Sequence, residues 1–139
     1  MSLAGKVALI TGASRGIGQA IMLKLANSGA YVIGTATSEN GKEAINKVLK
    51  ENNLTGEGAV LDVANPESVE ALIKHLQANE KQVLILVNNA GITRDGLLMK
   101  MSEEDWDTVI DVNLKSVYNL SQALVRSMIK AKTGAIVVT

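Results

Sequence analysis

Five short aliphatic runs alternate with helical patterns along this chain, and this alternation constrains its fold more than any other feature. Each run has the length and composition of a buried strand, and each gap between runs is long enough for a helical crossover. The succession predicts an α/β fold, namely a doubly wound parallel sheet with right-handed crossovers and helices on both faces. The predicted strands are Lys6 to Thr11, Tyr31 to Thr35, Gly58 to Val63, Val83 to Asn88 and Gly134 to Thr139.

The helical patterns between these runs carry start and stop signals of different strength. The third start is the clearest, because Asn65 can cap the free amides, Pro66 suits the first helical position and Glu67 complements the helix dipole. Gly29 stands where a left-handed C-terminal cap of the first helix would fall. The predicted helices run from Arg15 to Ser28, from Gly41 to Glu51, from Asn65 onward, and from Ser102 to about Lys130 with a break near Asn113.

Composition excludes several classes of protein. The 139 residues suit one domain, and 14 basic residues balance 14 acidic ones, so no overall field favours nucleic acid or an anionic membrane. The chain has no cysteine and a single histidine, His75, which we interpret as a solvated surface residue, so no metal site is expected. The apolar run Val7 to Ile10 is too short for a secretion signal or a membrane span. We therefore expect a soluble cytoplasmic protein.

The segment from Thr11 to Gly18 follows the first predicted strand and opens the first helix, the context of a phosphate-binding loop in a Rossmann-like fold. Gly12 allows a tight turn, Gly16 lets backbone approach a pyrophosphate, and Gly18 allows close packing of the helix. The free amides and the positive end of the helix dipole would then face the anion. The alternative is a glycine-rich turn that serves only strand-to-helix packing. A nucleoside-triphosphate loop is excluded, because no Gly-Lys-Ser/Thr ending is present.

The end of the second strand bears on the choice between NADP and NAD. An NAD site places an acid there for the ribose 2′-hydroxyl, whereas this chain has Thr37 and Ser38. Arg15 and these two hydroxyls can meet a 2′-phosphate through charge-assisted hydrogen bonds. The sequence therefore favours NADP(H), although a shift of one or two residues would bring the carboxylate of Glu39 near the ribose.

Two motifs in register carry a resemblance to a known family. Gly12-x-x-x-Gly16-x-Gly18, joined to Asn88-Asn89-Ala90-Gly91 after the fourth strand, resembles the short-chain dehydrogenase/reductase superfamily. The stretches Gly34 to Gly41 and Gly91 to Asp95 resemble bacterial 3-oxoacyl-acyl-carrier-protein reductases, the ketoreductases of fatty-acid biosynthesis. The resemblance covers all 139 residues.

The resemblance implies roles for individual residues. Ser14 and Arg15 would bind the adenosine-side phosphates, and Thr37 would flank the 2′-phosphate. Asp62 and Val63 would lie along the adenine ring, although Asp62 is also explained as a residue that caps the turn after a strand. Asn113 would hold a water that relays protons in catalysis; without the resemblance it is an ordinary polar residue inside a helix. The implied cofactor-binding residues are Gly12, Ala13, Ser14, Arg15, Gly16, Ile17, Gly18, Thr37, Asp62, Val63, Asn89, Ala90 and Gly91.

The chain departs from the family where the chemistry should follow. The family supplies its proton donor with a Ser and a Tyr-x-x-x-Lys, and here Tyr31 and Tyr118 are followed four residues later by Thr35 and Gln122. We therefore expect residues 1–139 to be an incomplete NADP-binding domain, truncated after the fifth strand and inactive alone. The parent protein would reduce 3-oxoacyl-acyl-carrier-protein with NADPH. Another short-chain dehydrogenase, or a non-catalytic dinucleotide-binding fragment, is the alternative.

The resemblance also implies an assembly. Long helices near the fourth and fifth strands pair across subunits in this family, so the region Trp106 to Lys130 implies a homotetramer. Arg94, Arg126, Lys130 and Lys132 are candidates to approach an acidic carrier protein, with a solvated surface role as the alternative.

Overall fold

A computed structural model of the chain describes residues 3–63, 65–89, 118–126, 128–131 and 133–138. The described strands form one parallel five-stranded sheet in the order β3-β2-β1-β4-β5, which confirms the predicted α/β architecture. Residues 118–126 and 128–131 are also helical and are called the C-terminal helical segment. The elements are β1 Val7–Ile10, α1 Gly16–Asn27, β2 Tyr31–Ala36, α2 Glu39–Glu51, β3 Gly56–Val60, α3 Pro66–Ala78, β4 Val83–Asn88 and β5 Ala135–Val138.

The predicted bounds of α2 and β3 were wrong by two residues or more. α2 begins at Glu39 rather than Gly41, because the Ser38 hydroxyl oxygen accepts a hydrogen bond from the Gly41 amide at 3.1 Å and caps the helix. β3 runs from Gly56 to Val60 rather than from Gly58 to Val63, because its pairing with β2 starts at Val32 and ends at Ala36. The predicted helix start at Ser102 and the break near Asn113 lie outside the described residues.

The other helix signals are confirmed. The Asn65 side chain accepts a hydrogen bond from the Glu67 amide at 2.9 Å, and Pro66 opens α3. After α1, Gly29 has φ +102°, and the amides of Gly29 and Ala30 bond the carbonyls of Ala26 and Leu25 at 3.0 and 3.2 Å. This pair of bonds is the Schellman arrangement, which satisfies the last carbonyls of the helix before the chain enters β2.

The two faces of the sheet carry separate apolar layers. Side chains alternate along each parallel strand, so Leu9 of β1 packs in one layer while Ala8 and Ile10 pack in the other. The layer that contains Leu9 is covered by α3 and the C-terminal helical segment, whereas α1 and α2 cover the opposite layer. The fold is therefore doubly wound, as the alternation of runs predicted.

The strand order determines where a site can form. From β1 the chain moves outward through β2 to β3 and then returns to place β4 on the other side of β1. The carboxyl ends of β1 and β4, with Thr11 and Asn89 directly after them, consequently lie side by side at the carboxyl edge of the sheet. In open parallel sheets such a crossing point is the place where ligands bind.

A polar cluster joins three elements at the opposite, amino edge. The Tyr31 hydroxyl donates to the Glu57 carboxylate at 2.8 Å, and Nε2 of His75 on α3 lies 3.4 Å from the other oxygen of that carboxylate. The Lys81 ammonium lies 4.0 Å from the centre of the Tyr31 ring. His75 is thus half exposed, as the sequence suggested, and it also contacts a carboxylate, which the sequence did not indicate.

The Tyr31 contact predicts how stability responds to alkaline pH. Burial, followed by the hydrogen bond to Glu57 and the charge of that carboxylate, raises the pKa of Tyr31 to about 12. An unfolded tyrosine titrates at about pH 10, so the contribution of Tyr31 to stability is complete below that pH and is lost as pH rises toward about 12. Tyr31→Phe is expected to flatten the fall in unfolding free energy across this window, measured by urea unfolding. Tyr118→Phe, at an exposed tyrosine, is the control, and an unchanged slope in Tyr31→Phe would contradict the prediction.

Candidate functional site

The loop between β1 and α1 takes a conformation that requires glycine at two places. Gly12 has φ +66° and Gly16 has φ +61°, in the left-handed region that other residues rarely adopt. A Cβ added at Gly16 would meet nothing within 4 Å, so the backbone here faces open space. The tight turn predicted at Gly12 is present, and the backbone at Gly16 is accessible, as the predicted approach of a pyrophosphate would require.

Gly18 packs against residues from two other parts of the site. A Cβ at this position would lie 2.5 Å from Nδ2 of Asn89 and would overlap the carbonyl oxygen of Gly12. The prediction that Gly18 allows close packing therefore holds, although its closest neighbours are the loop itself and the end of β4. Because Gly18 has no side chain, α1 can begin directly against the end of β4.

Asn89 and Thr11 brace the loop from behind. The Asn89 amide donates to Oγ1 of Thr11 at 3.0 Å, and Nδ2 of Asn89 donates to the Gly12 carbonyl at 3.1 Å. The Ala13 amide bonds the Thr35 carbonyl at 2.8 Å, which ties the loop to β2 as well. The sequence placed the fully buried Thr11 at the end of β1 and the start of the loop but gave it no role of its own. A hydroxyl residue directly after an aliphatic run and before Gly12 was the available signal.

The amino end of α1 differs from those of α2 and α3. Arg15 occupies the N-cap position in an extended conformation, no side chain caps the helix, and its first turn contains no acid. The first amides of a helix lack intrahelical acceptors, and the dipole places partial positive charge there. Arg15 is exposed and takes part in none of the ion pairs found between described residues. This end of α1 is chemically suited to an anion.

The tip of β2 lies beside this loop. A Cβ added at Gly41, in the first turn of α2, would lie 3.7 Å from Cβ of Ser14. Thr37 is exposed directly after β2, and Ser38 caps α2 through its oxygen while its hydroxyl hydrogen can still donate. Glu39 is the first residue of α2, where its carboxylate complements the dipole of that helix. The loop and the two hydroxyls therefore border the same surface.

Asp62 and Val63 follow β3 at the same edge, but they differ in exposure. Asp62 is exposed, its amide donates to Oγ of Ser68 at 3.0 Å, and its carbonyl accepts from the Asn65 amide at 3.0 Å. Its backbone thus stabilises the turn into α3, the alternative that the sequence left open. Val63 is only 7% exposed and packs in the core. Ala90, Gly91 and Asn113 lie outside the described residues.

Within the described ranges, no three His, Asp or Glu side chains are grouped so that they could hold a metal ion. Of the helices in the described residues, none has both the length and the apolar character needed to span a membrane.

A doubly wound parallel sheet with a glycine-rich loop at its crossing point is the architecture of Rossmann-like dinucleotide-binding domains. The short chain dehydrogenase family model matches residues 6–139, and the chain belongs to that family.

Relatives in three bacteria are similar to this chain over almost its whole length. It is 57% identical over 137 residues to the 3-oxoacyl-[acyl-carrier-protein] reductase FabG of Pseudomonas aeruginosa, covering 99% of this chain and 56% of that protein. The FabG proteins of Escherichia coli and Vibrio cholerae are 53% and 55% identical over 137 residues, with 99% of this chain and 55% of each relative covered. The chain thus spans a little over half the length of these relatives.

Proposed function

We propose that this chain holds the NADP(H) site of a 3-oxoacyl-acyl-carrier-protein reductase. The parent protein would use NADPH to reduce a 3-oxoacyl thioester on acyl-carrier protein to the 3-hydroxyacyl thioester, a step of fatty-acid biosynthesis. The observation that carries the proposal is the uncapped amino end of α1, which lies beside a β2 tip with exposed Thr37 and no acid directly after the strand. The identity to FabG proteins supports the substrate class.

The described residues fit the cofactor. The amides of Gly16, Ile17 and Gly18 at the start of α1, with the open space over Gly16, would hold the pyrophosphate. Ser14 would add a hydroxyl donor, and Ala13 would keep the turn in place through its bond to Thr35. Bound NADPH would supply the hydride, while these residues bind and orient it.

Arg15 and the residues at the tip of β2 would select NADPH over NADH. The Arg15 guanidinium and the Thr37 hydroxyl would bind the 2′-phosphate, because both are exposed beside the loop and can donate charge-assisted hydrogen bonds. The Glu39 carboxylate lies in the first turn of α2, where it interacts favourably with the helix dipole. The position of this acid therefore does not require a contact with the ribose. These contacts would favour NADP(H) over NAD(H).

The rest of the cofactor would extend along the carboxyl edge. The exposed Asp62 carboxylate would approach the exocyclic amine of adenine, and Val63 would contribute backbone only, because its side chain is buried. Asn89, Ala90 and Gly91 would line the nicotinamide ribose after β4. Asn113 would hold the water of the proton relay.

We also propose that the parent protein is a cytoplasmic homotetramer. An exposed apolar stripe on the C-terminal helical segment, formed by Tyr118, Val125 and Ile129 at 62, 40 and 71% exposure, supports pairing between subunits. Arg126 and Lys130 are exposed on the same segment and would face an acidic carrier protein.

Calorimetric titration of the chain with NADPH and NADH tests the proposal. NADPH is expected to bind at least about tenfold more tightly, because a charge-assisted contact contributes on the order of 1.5–3 kcal/mol. Tighter binding of NADH, or no binding of either, would contradict it.

An alternative function, a dinucleotide-binding fragment without catalysis, is favoured by the missing Tyr-x-x-x-Lys in the 139 residues. We expect the chain to show no oxidation of NADPH with an acetoacetyl thioester, whereas the parent protein should show it. Activity of the parent only with NAD and a different alcohol would indicate another short-chain dehydrogenase.

A further inference from the structure

Three buried side-chain polar atoms lack a hydrogen-bond partner among the described residues, and they belong to only two residues. They are Nδ2 and Oδ1 of Asn88 and Oγ of Ser121. Asn88 is the last residue of β4 and is only 3% exposed. Buried polar groups are nearly always paired with protein or ordered water, so these atoms require a partner.

Asn88 and Ser121 belong to the same layer of the fold. Along β4, Leu86 packs in the layer under α3 and Val87 packs in the opposite one, so alternation puts Asn88 on the face of Leu86. Leu120 and Leu124, on either side of Ser121, also belong to the layer of Leu86. Both residues with unpaired atoms therefore interrupt one apolar layer.

The two residues also lie at the same end of that layer. Asn119, near the start of the C-terminal helical segment, donates from Nδ2 to the Val63 carbonyl at 3.3 Å, and Val63 follows β3 at the carboxyl edge. Ser121 comes two residues later, about 3 Å along a helix axis. Asn88 is the last residue of β4, so it lies at the same edge.

We infer that Asn88 and Ser121 bind one buried water molecule between β4 and the C-terminal helical segment. The Asn88 amide offers a donor and an acceptor, and the Ser121 hydroxyl can do either. Together they supply three contacts, and a buried water typically makes about three hydrogen bonds. The water joins the helical segment to the strand end from which Asn89 braces Gly12.

A high-resolution crystal structure of the chain tests the inference directly. We expect density for one water within hydrogen-bond distance of the Asn88 amide and of Oγ of Ser121. A protein atom that pairs with both polar atoms of Asn88, or separate partners for the two residues, would overturn it.

A double-mutant cycle provides a second, independent test. Asn88→Leu, Ser121→Ala and the combined variant are compared by urea unfolding of the chain. If both residues hold the same water, their effects on the unfolding equilibrium constant should be coupled by about fivefold or more. Ser28→Ala is the matched control, because its exposed hydroxyl bonds the Lys24 carbonyl at 3.1 Å and should be additive with Asn88→Leu. Additivity of Asn88→Leu with Ser121→Ala would overturn the inference, and Asn88→Ser replaces Asn88→Leu if the latter does not fold.

Discussion

Arg15→Ala is expected to weaken NADPH binding by about 10- to 100-fold and to leave NADH binding within about threefold, because charge-assisted hydrogen bonds contribute roughly 1.5–3 kcal/mol. The guanidinium at the N-cap of α1 is exposed and has no carboxylate partner in the ion pairs of the described residues. Its charge is therefore available to the 2′-phosphate, which NADH lacks. Titration of each variant with both dinucleotides measures the effect.

Arg126→Ala is the matched control for Arg15→Ala. Arg126 is also exposed, but the helical segment that carries it packs on the opposite face of the sheet from α1. Its removal should leave both affinities unchanged. Equal losses for NADPH and NADH in Arg15→Ala would show that Arg15 contacts a phosphate common to both, and no loss would contradict a role in binding.

Gly18→Ala is expected to reduce mainly the stability of the fold, whereas Gly16→Ala is expected to reduce mainly the affinity for NADPH. The added Cβ at Gly18 would overlap the Gly12 carbonyl and approach Asn89, so we expect a loss of about 2–3 kcal/mol in unfolding free energy. Dinucleotide binding should fall with it, because the loop and the end of β4 must separate. Urea unfolding and titration with NADPH measure the two effects.

At Gly16 the added Cβ meets no protein atom, and only the left-handed backbone is strained, at about 1–2 kcal/mol. The methyl group would instead project into the space proposed for pyrophosphate. We therefore expect Gly16→Ala to lose more NADPH affinity than its smaller loss of stability explains. If Gly16→Ala bound NADPH normally, the pyrophosphate would not lie over this backbone.

Local patterns in the sequence were sufficient for much of the fold. The aliphatic runs placed all five strands, the Asn65-Pro66-Glu67 signal placed the start of α3, and Gly29 marked the end of α1. Each of these signals acts over a few residues, through side-chain alternation, capping or backbone conformation, so it can be read without knowing the neighbours in space. The sequence pattern did not reveal that Ser38 caps α2, so this helix begins two residues before its predicted start.

In the candidate site, too, local signals in the sequence predicted only part of the structure. The glycine spacing predicted the loop and the tight turn at Gly12, where φ is positive. Spacing did not reveal that Gly18 packs against Asn89, or that Thr11 accepts a bond from the Asn89 amide, since these partners are 71 and 78 residues apart in the chain. The burial of Val63 and the contact of His75 with Glu57 were also not evident from the sequence.

By itself, the sequence determined the strands, several helix ends and the glycine turn, because these depend on residues within one or two turns of each other. Only the tertiary structure decided the strand order, which puts β4 beside β1 and thereby brings Asn89 against Gly12. It also decided which polar groups pair across elements, such as Tyr31 with Glu57. The physical reason is that contacts between distant segments depend on which strands pair and which helix faces pack together, and no local signal specifies either.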